Sequence, residues 1–346
     1  MDSKKPLAVR NRIKAQEEQF GTGLKFDEKL YNEVPQSVPL ITRSFTALPK
    51  SYSLKGYAPT PKSQGSQGSC VGWASSYGAR TIAYAVRKGW KNQTTKITQN
   101  AFSPSFVYNL IKVNSKCQGA YIENAMKLMN NYGTAKLTDF PYDYRTCLKN
   151  PSNSVYTKAK DNRILTFERL ARWNNPYNLV GKVKKAISKK NPVVIGMFKY
   201  GSLYGKGDLW VAPPNPTRGG HAMVVVGYDD YKNGGSFEIL NSWGTAWGNR
   251  GYIWVKYDDF KNYTKTAYVL IDKTKKKKIN VNNDNNNYNS MAGEMTLRLS
   301  NGSNMTPILA SNANRNFSIV KASNTTYRIA QRICYIAYDR IDGFFH

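Results

Sequence analysis

Apolar positions three and four residues apart dominate the first half of the chain, the repeat that gives a helix one buried stripe, whereas short apolar runs between Gly, Pro and Asn follow residue 193. From Cys70 onward Ala74, Tyr77, Gly78, Thr81, Ile82, Ala85 and Val86 fall on one face, so a helix is predicted directly after a Gly, Ser and Gln loop, with Ser69 as its N-cap. Ser103-Pro104 opens a second helix carrying Phe106, Val107, Leu110 and Ile111. A third begins near Tyr121, buries Ile122, Ala125, Met126 and Met129, and stops at Gly133. A fourth is predicted over 177–188 and is ended by Asn191-Pro192. Strands are predicted over 193–197, 222–228, 237–241, 252–256 and 267–271. Helices first and strands after predict an α+β protein with two subdomains.

The pattern also divides the chain. Residues 1–47 read as an N-terminal extension or short pro-segment, with Phe20, Phe26, Leu30, Tyr31 and Val34 as apolar anchors. A catalytic-sized domain spans 48–273. Residues 274–290, rich in Lys and Asn, have the composition of a linker, and alternating segments in 291–346 read as a small β module that is too short for a thick core.

Two residue types then change the picture. Cys70 is predicted in the first turn of a helix, where unpaired N–H groups and the helix dipole favour a thiolate. Of the two histidines one is the last residue, so His221, at the mouth of an apolar strand after Gly219-Gly220, is the candidate base. Asn241 ends the next strand and enters the loop Ser242-Trp243-Gly244, where its amide can orient an imidazole.

In these three segments the chain resembles the papain-like cysteine peptidases. The resemblance rests on the stretch from Gln64 to Cys70, on His221-Ala222, and on Asn241-Ser242-Trp243-Gly244. It implies a papain-like fold with a helical half and an antiparallel, β-barrel-like half, and a site in the cleft between them. It implies Cys70 as nucleophile, His221 as base and acid, Asn241 as orienter, Gln64 as oxyanion donor, and Trp243 as a cover over the His221–Asn241 pair. Gly119, Ala120, Met197, Gly220 and Trp243 are implied along the substrate cleft. Gln67 stands where many relatives carry a cysteine, Val71 replaces a tryptophan, and Trp73 follows two positions later, so the chain reads as a divergent, bacterial-type branch. Relatives carry bridges in this region and Gln67 removes one partner, so Cys117 and Cys147 are expected to pair if the protein reaches an oxidising compartment, the alternative being two unpaired thiols in a reducing cytoplasm.

The expected function is an endopeptidase that works through a thioester on peptide or protein substrates. The alternatives are a thiol exopeptidase or acyl transferase, and a peptide-binding relative without catalysis. No metal and no cofactor are expected, since the cysteines lack C-x-x-C spacing and the internal histidine is already assigned. The net charge of +29 is spread along the chain, apart from four lysines at 275–278, and accompanies no nucleic-acid motif. It is read first as a solvated basic surface and second as weak attraction to anionic surfaces. No run of eighteen apolar residues predicts a transmembrane helix, and the N-terminus lacks a signal-peptide core, so the expectation is a cytoplasmic protein or one whose export signal lies outside this sequence.

Overall fold

The computed structural model describes residues 20–37, 47–198, 208–212 and 219–273, together with four residue pairs beyond them, 297–298, 304–305, 310–311 and 317–318. The chain forms two compact units, Met1–Lys275 and Lys276–His346.

In the first unit three consecutive helical stretches, Cys70–Gly72, Trp73–Arg80 and Thr81–Lys88, make one continuous rod. Its middle stretch is wound in the wider π manner, with every residue from Trp73 to Arg80 buried. The rod starts where the apolar stripe starts, but Ser69 does not cap it with its side chain. Its hydroxyl instead pairs with the Tyr142 hydroxyl at 2.7 Å. Ser103 does cap, accepting from the Phe106 N–H at 3.0 Å, and opens the helix Pro104–Ile111. Ile122–Asn131 and Leu179–Ser188 follow their predicted stripes closely. The helices Glu28–Glu33, Thr94–Gln99, Asn153–Lys160 and Tyr257–Tyr263 are short and largely polar, and gave little periodic signal.

Seven strands form one antiparallel sheet: β1 Ser51–Ser53, β2 Thr166–Arg169, β3 Val193–Phe198, β4 Gly220–Asp229, β5 Ser236–Leu240, β6 Tyr252–Lys256 and β7 Thr264–Ile271. Their order is β2-β7-β3-β4-β5-β6, with β1 pairing the far end of β4. The sheet is open at β2 and β6, so the barrel-like half is a strongly paired sheet and not a closed barrel. Register shifts after Gly196 and Val225 bend β3 and β4 in its middle. β4 is buried from Gly220 to Tyr228, which explains why it reads as a continuous apolar run without alternation.

Residues 20–37 lie inside this same unit. The Tyr31 and Val34 side chains are buried in its core, and the Tyr31 hydroxyl donates to the Ala171 carbonyl at 3.0 Å. The segment 274–290 lies outside the described residues, as does most of 291–346. In the second unit Leu297–Arg298 pairs antiparallel with Asn304–Met305, and Ala310–Ser311 with Phe317–Ser318.

Cys117 and Cys147 are bridged across 5.8 Å between Cα atoms, as the resemblance implies, and close a separation of 30 residues. On a chain-entropy basis such a loop is worth about 3 to 4 kcal/mol. Reduction of the folded protein is therefore expected to lower its unfolding free energy by that amount, read from urea melts with and without reductant. A Cys147→Ala variant should be insensitive to reductant.

Candidate active site

Cys70 is delivered by the rod to the seam between the helices and the sheet, where it is completely buried. Its sulfur accepts from the Gly23 N–H at 3.3 Å and is also faced by the backbone N–H groups of Ala222, Leu24 and Val71. Ala222 follows His221 on β4, so rod and strand bring the thiol and the imidazole to one place. Burial pushes the Cys70 thiol up, and the surrounding N–H groups oppose this only in part. The helix-start argument predicts the opposite direction, and in this state desolvation outweighs it.

His221 Nε2 lies 2.7 Å from Asn241 Oδ1. The same oxygen accepts from the Ser242 N–H at 2.8 Å, which fixes it as the atom turned to the ring. Nε2 must then be the donor, so in the neutral ring Nδ1 is the basic nitrogen. Trp243 stacks on the imidazole at 4.8 Å and 29°, and Trp247 meets Trp243 edge-on at 5.5 Å. The indole covers one face of the imidazole, and a bond in so low a local dielectric is strengthened.

Gln64 is fully buried beside this pair. Its Oε1 accepts from Ser242 Oγ at 2.6 Å, and its Nε2 donates to the Gln67 carbonyl at 2.8 Å. One amide hydrogen is thereby used, and the orientation of the second is fixed by both bonds. Gln67 occupies the position of the absent cysteine and donates weakly to the Asp143 and Tyr144 carbonyls at 3.4 and 3.3 Å, tying the loop before Cys70 to the irregular stretch that carries Cys147.

Residues Phe20 to Phe26, which sequence reasoning treated as simple anchors, run across this cleft. Ala120 donates its N–H to the Gly23 carbonyl at 2.9 Å, and its own carbonyl accepts from Lys25 at 3.0 Å. On the opposite side the Leu24 N–H donates to the Gly220 carbonyl at 3.2 Å. Gly119, Ala120 and Gly220, all expected along the cleft, therefore line an extended chain. The Leu24 side chain is buried against Gly196, where an added Cβ would come within 2.6 Å of Leu24 Cδ2 and 2.4 Å of Thr266 Oγ1. Phe20 stacks on Trp243 at 5.3 Å and 11°. Met197 pairs with His221 across β3 and β4, but its side chain is buried in the core. The signal that could have found this strap is Gly21-Thr22-Gly23-Leu24-Lys25-Phe26, an alternating stretch with two glycines.

The family model of the papain family cysteine protease matches residues 49–282. Cathepsin K of Gallus gallus is 30% identical over 206 residues, which are 58% of this chain and 55% of that protein. A cysteine protease of Blomia tropicalis is 26% identical over 244 residues, 68% of each chain. The matched part thus spans little more than half of the cathepsin K. Among solved structures, xylellain, a cysteine protease from Xylella fastidiosa, superposes with a TM-score of 0.59 at 24% identity, covering 74% of this chain and 97% of its own. Procathepsin L2 from the Tenebrio molitor larval midgut superposes with a TM-score of 0.59 at 19% identity, covering 74% and 80%. Both share the fold of the first unit.

Proposed function

The chain belongs to the papain family of cysteine proteases, and from that premise we propose that it is an endopeptidase working through Cys70, His221 and Asn241. The observation that carries this reading is the His221–Asn241 bond of 2.7 Å under Trp243, with the next residue of β4 turned to the Cys70 sulfur. In the proposed reaction the Cys70 thiolate attacks the peptide carbonyl carbon, the C–N bond breaks, and His221 gives its proton to the departing amine. The thioester left on sulfur is then hydrolysed by water, whose proton returns to His221. The oxyanion is met by the Gln64 amide and the Cys70 N–H, both fixed before substrate arrives.

The endopeptidase mode rests on the strap. An extended chain enters at Phe20, crosses Cys70 and leaves at Phe26, so the cleft admits a polypeptide that continues on both sides. The burial of Leu24 at Gly196 supports a preference for an aliphatic side chain of leucine size next to the bond cleaved. In the same reading residues 20–26 act as part of a pro-segment, since the strap meets the sulfur with the N–H groups of Gly23 and Leu24.

A peptide-library digest followed by mass spectrometry, with Cys70→Ala as control, tests the function. Internal cuts after or near leucine are expected. Removal of single terminal residues only would overturn the endopeptidase mode, and identical products from the control would overturn the thiol mechanism. Gln64→Ala is expected to lower kcat on a fluorogenic peptide about 100- to 1000-fold with little change in KM. An unchanged kcat would remove Gln64 from the oxyanion role.

A further inference from the structure

Away from the cleft, the half-buried ring of Tyr84 is surrounded by positive charge. Lys136 Nζ lies 3.7 Å from the ring centre, the guanidinium carbons of Arg87 and Arg80 lie 5.0 and 5.5 Å away, and Lys88 Nζ lies at 5.4 Å. Arg80 and Lys136 also share the ring of Phe102, at 4.6 and 3.9 Å. Among the described residues one carboxylate pairs directly with these four cations, Asp272, placed 2.9 Å from Arg80 Nη1 and 3.2 Å from Arg87 Nε. Asp139, the other acid near Lys136, holds Lys158 at 2.6 Å. Two aromatic faces offset part of the excess, but they do not replace the oxygen acceptors that the guanidinium and ammonium N–H groups call for. Arg80 is wholly buried, and its Nη2 has no hydrogen-bond partner among the described residues. An unsatisfied guanidinium N–H at that depth is costly, and an acceptor in this field lowers the cost.

We propose that the Tyr84 face of the helix Thr81–Lys88 binds a phosphate or sulfate oxyanion, contacted by Lys136, Arg87 and Lys88 and held in the field of Arg80. Tetrahedral oxyanions present several acceptors and at least one full charge to a cluster of this shape, and arginine forks and lysine points are the two side chains suited to them. The cluster is open where such a ligand must enter, since Lys88 is exposed and Tyr84, Arg87 and Lys136 are half-buried. It lies on the same rod as Cys70, with Tyr84 fourteen residues on and so roughly 21 Å along its axis at about 1.5 Å per residue.

Lys136 supplies a signature that a merely basic surface lacks. Burial first, then Arg80, Arg87 and Lys88, lower its ammonium to about 7, with only Asp139 opposing. Around the amine stand these three cations from the rod, Tyr84, Phe102 and the Asn100 carbonyl, which accepts from Nζ at 2.7 Å. A bound anion favours the charged amine, so binding takes up a proton near neutrality and weakens above it. Sulfate, which does not titrate in this range, is the probe.

Sulfate binding is measured by calorimetry at pH 6 and pH 8, with chloride keeping the ionic strength constant. Saturable binding is expected that weakens about tenfold at the higher pH, loses at least tenfold in Lys136→Met and in Lys88→Ala, and is unchanged in Lys189→Ala, an exposed lysine elsewhere. Tripolyphosphate separates the sources of the ligand: a gain over sulfate assigns a phosphate chain, and parity assigns a free ion. Sulfate and tripolyphosphate binding no stronger than chloride, or binding indifferent to both Lys136→Met and Lys88→Ala, would overturn the site.

Discussion

Alanine at Cys70 is expected to lower peptidase turnover by about 10⁴- to 10⁶-fold while leaving the fold intact, because on the proposed mechanism the nucleophile is lost and little else is. The side chain removed is small, and the loop and rod around it are held by the bonds of Gln64, Ser69 and Tyr142. His221→Ala is expected to cost a similar factor, and the double variant little more than either alone, since the two groups act in one step. Asn241→Ala should be milder, because Trp243 still sandwiches the ring from one side while the 2.7 Å bond that sets its tautomer is gone. Turnover is read from progress curves on a fluorogenic peptide after removal of the strap, with near-ultraviolet dichroism as the control for folding. A Cys70→Ala protein with undiminished turnover would end the assignment.

The parts of this site that were legible in the sequence are those whose chemistry is local. Cys70 announces itself through the junction of a polar loop with an apolar stripe, and His221 and Asn241 through strands that end in Gly and Trp. The rod and the central strands were equally legible, because burial imposes their period. Ser69 misled because its hydroxyl had two destinations, the first turn or the Tyr142 hydroxyl 73 residues away, and only tertiary contact decides between them. β1 and β2 are three and four residues long and take their place from partners on β4 and β7, a signal that local pattern cannot carry. The direction of the Cys70 shift was missed for the same reason. A helix start depends on neighbours in sequence, whereas desolvation depends on what covers the thiol, and the cover comes 47 residues earlier.

That cover makes the strongest prediction about regulation. A Gly23→Ala variant of the full chain is expected to hydrolyse peptide at least tenfold faster than the wild type, because an added Cβ would stand 2.0 Å from the Gly68 carbonyl oxygen, a backbone atom that cannot yield. Gly21 is pinned in the same way, 2.3 Å from the Gln67 carbonyl oxygen, so the strap has no neighbouring slack into which to shift. Release should stop at Asp27: its carboxylate caps the helix Glu28–Glu33 at 2.8 Å, Tyr31 is anchored to Ala171, and Arg169 donates to the Val34 carbonyl at 2.9 Å. Uncovering also rehydrates Cys70 and removes the main cause of its raised thiol. Alkylation by iodoacetamide should therefore climb only above the ordinary thiol range of about 8.5 in the wild type and already near neutrality in the variant. Phe20→Ala, which removes the stack on Trp243 without straining the backbone, should move both readouts in the same direction by a smaller factor. Should both variants fold and show wild-type rates of hydrolysis and alkylation, the strap does not hold the enzyme closed.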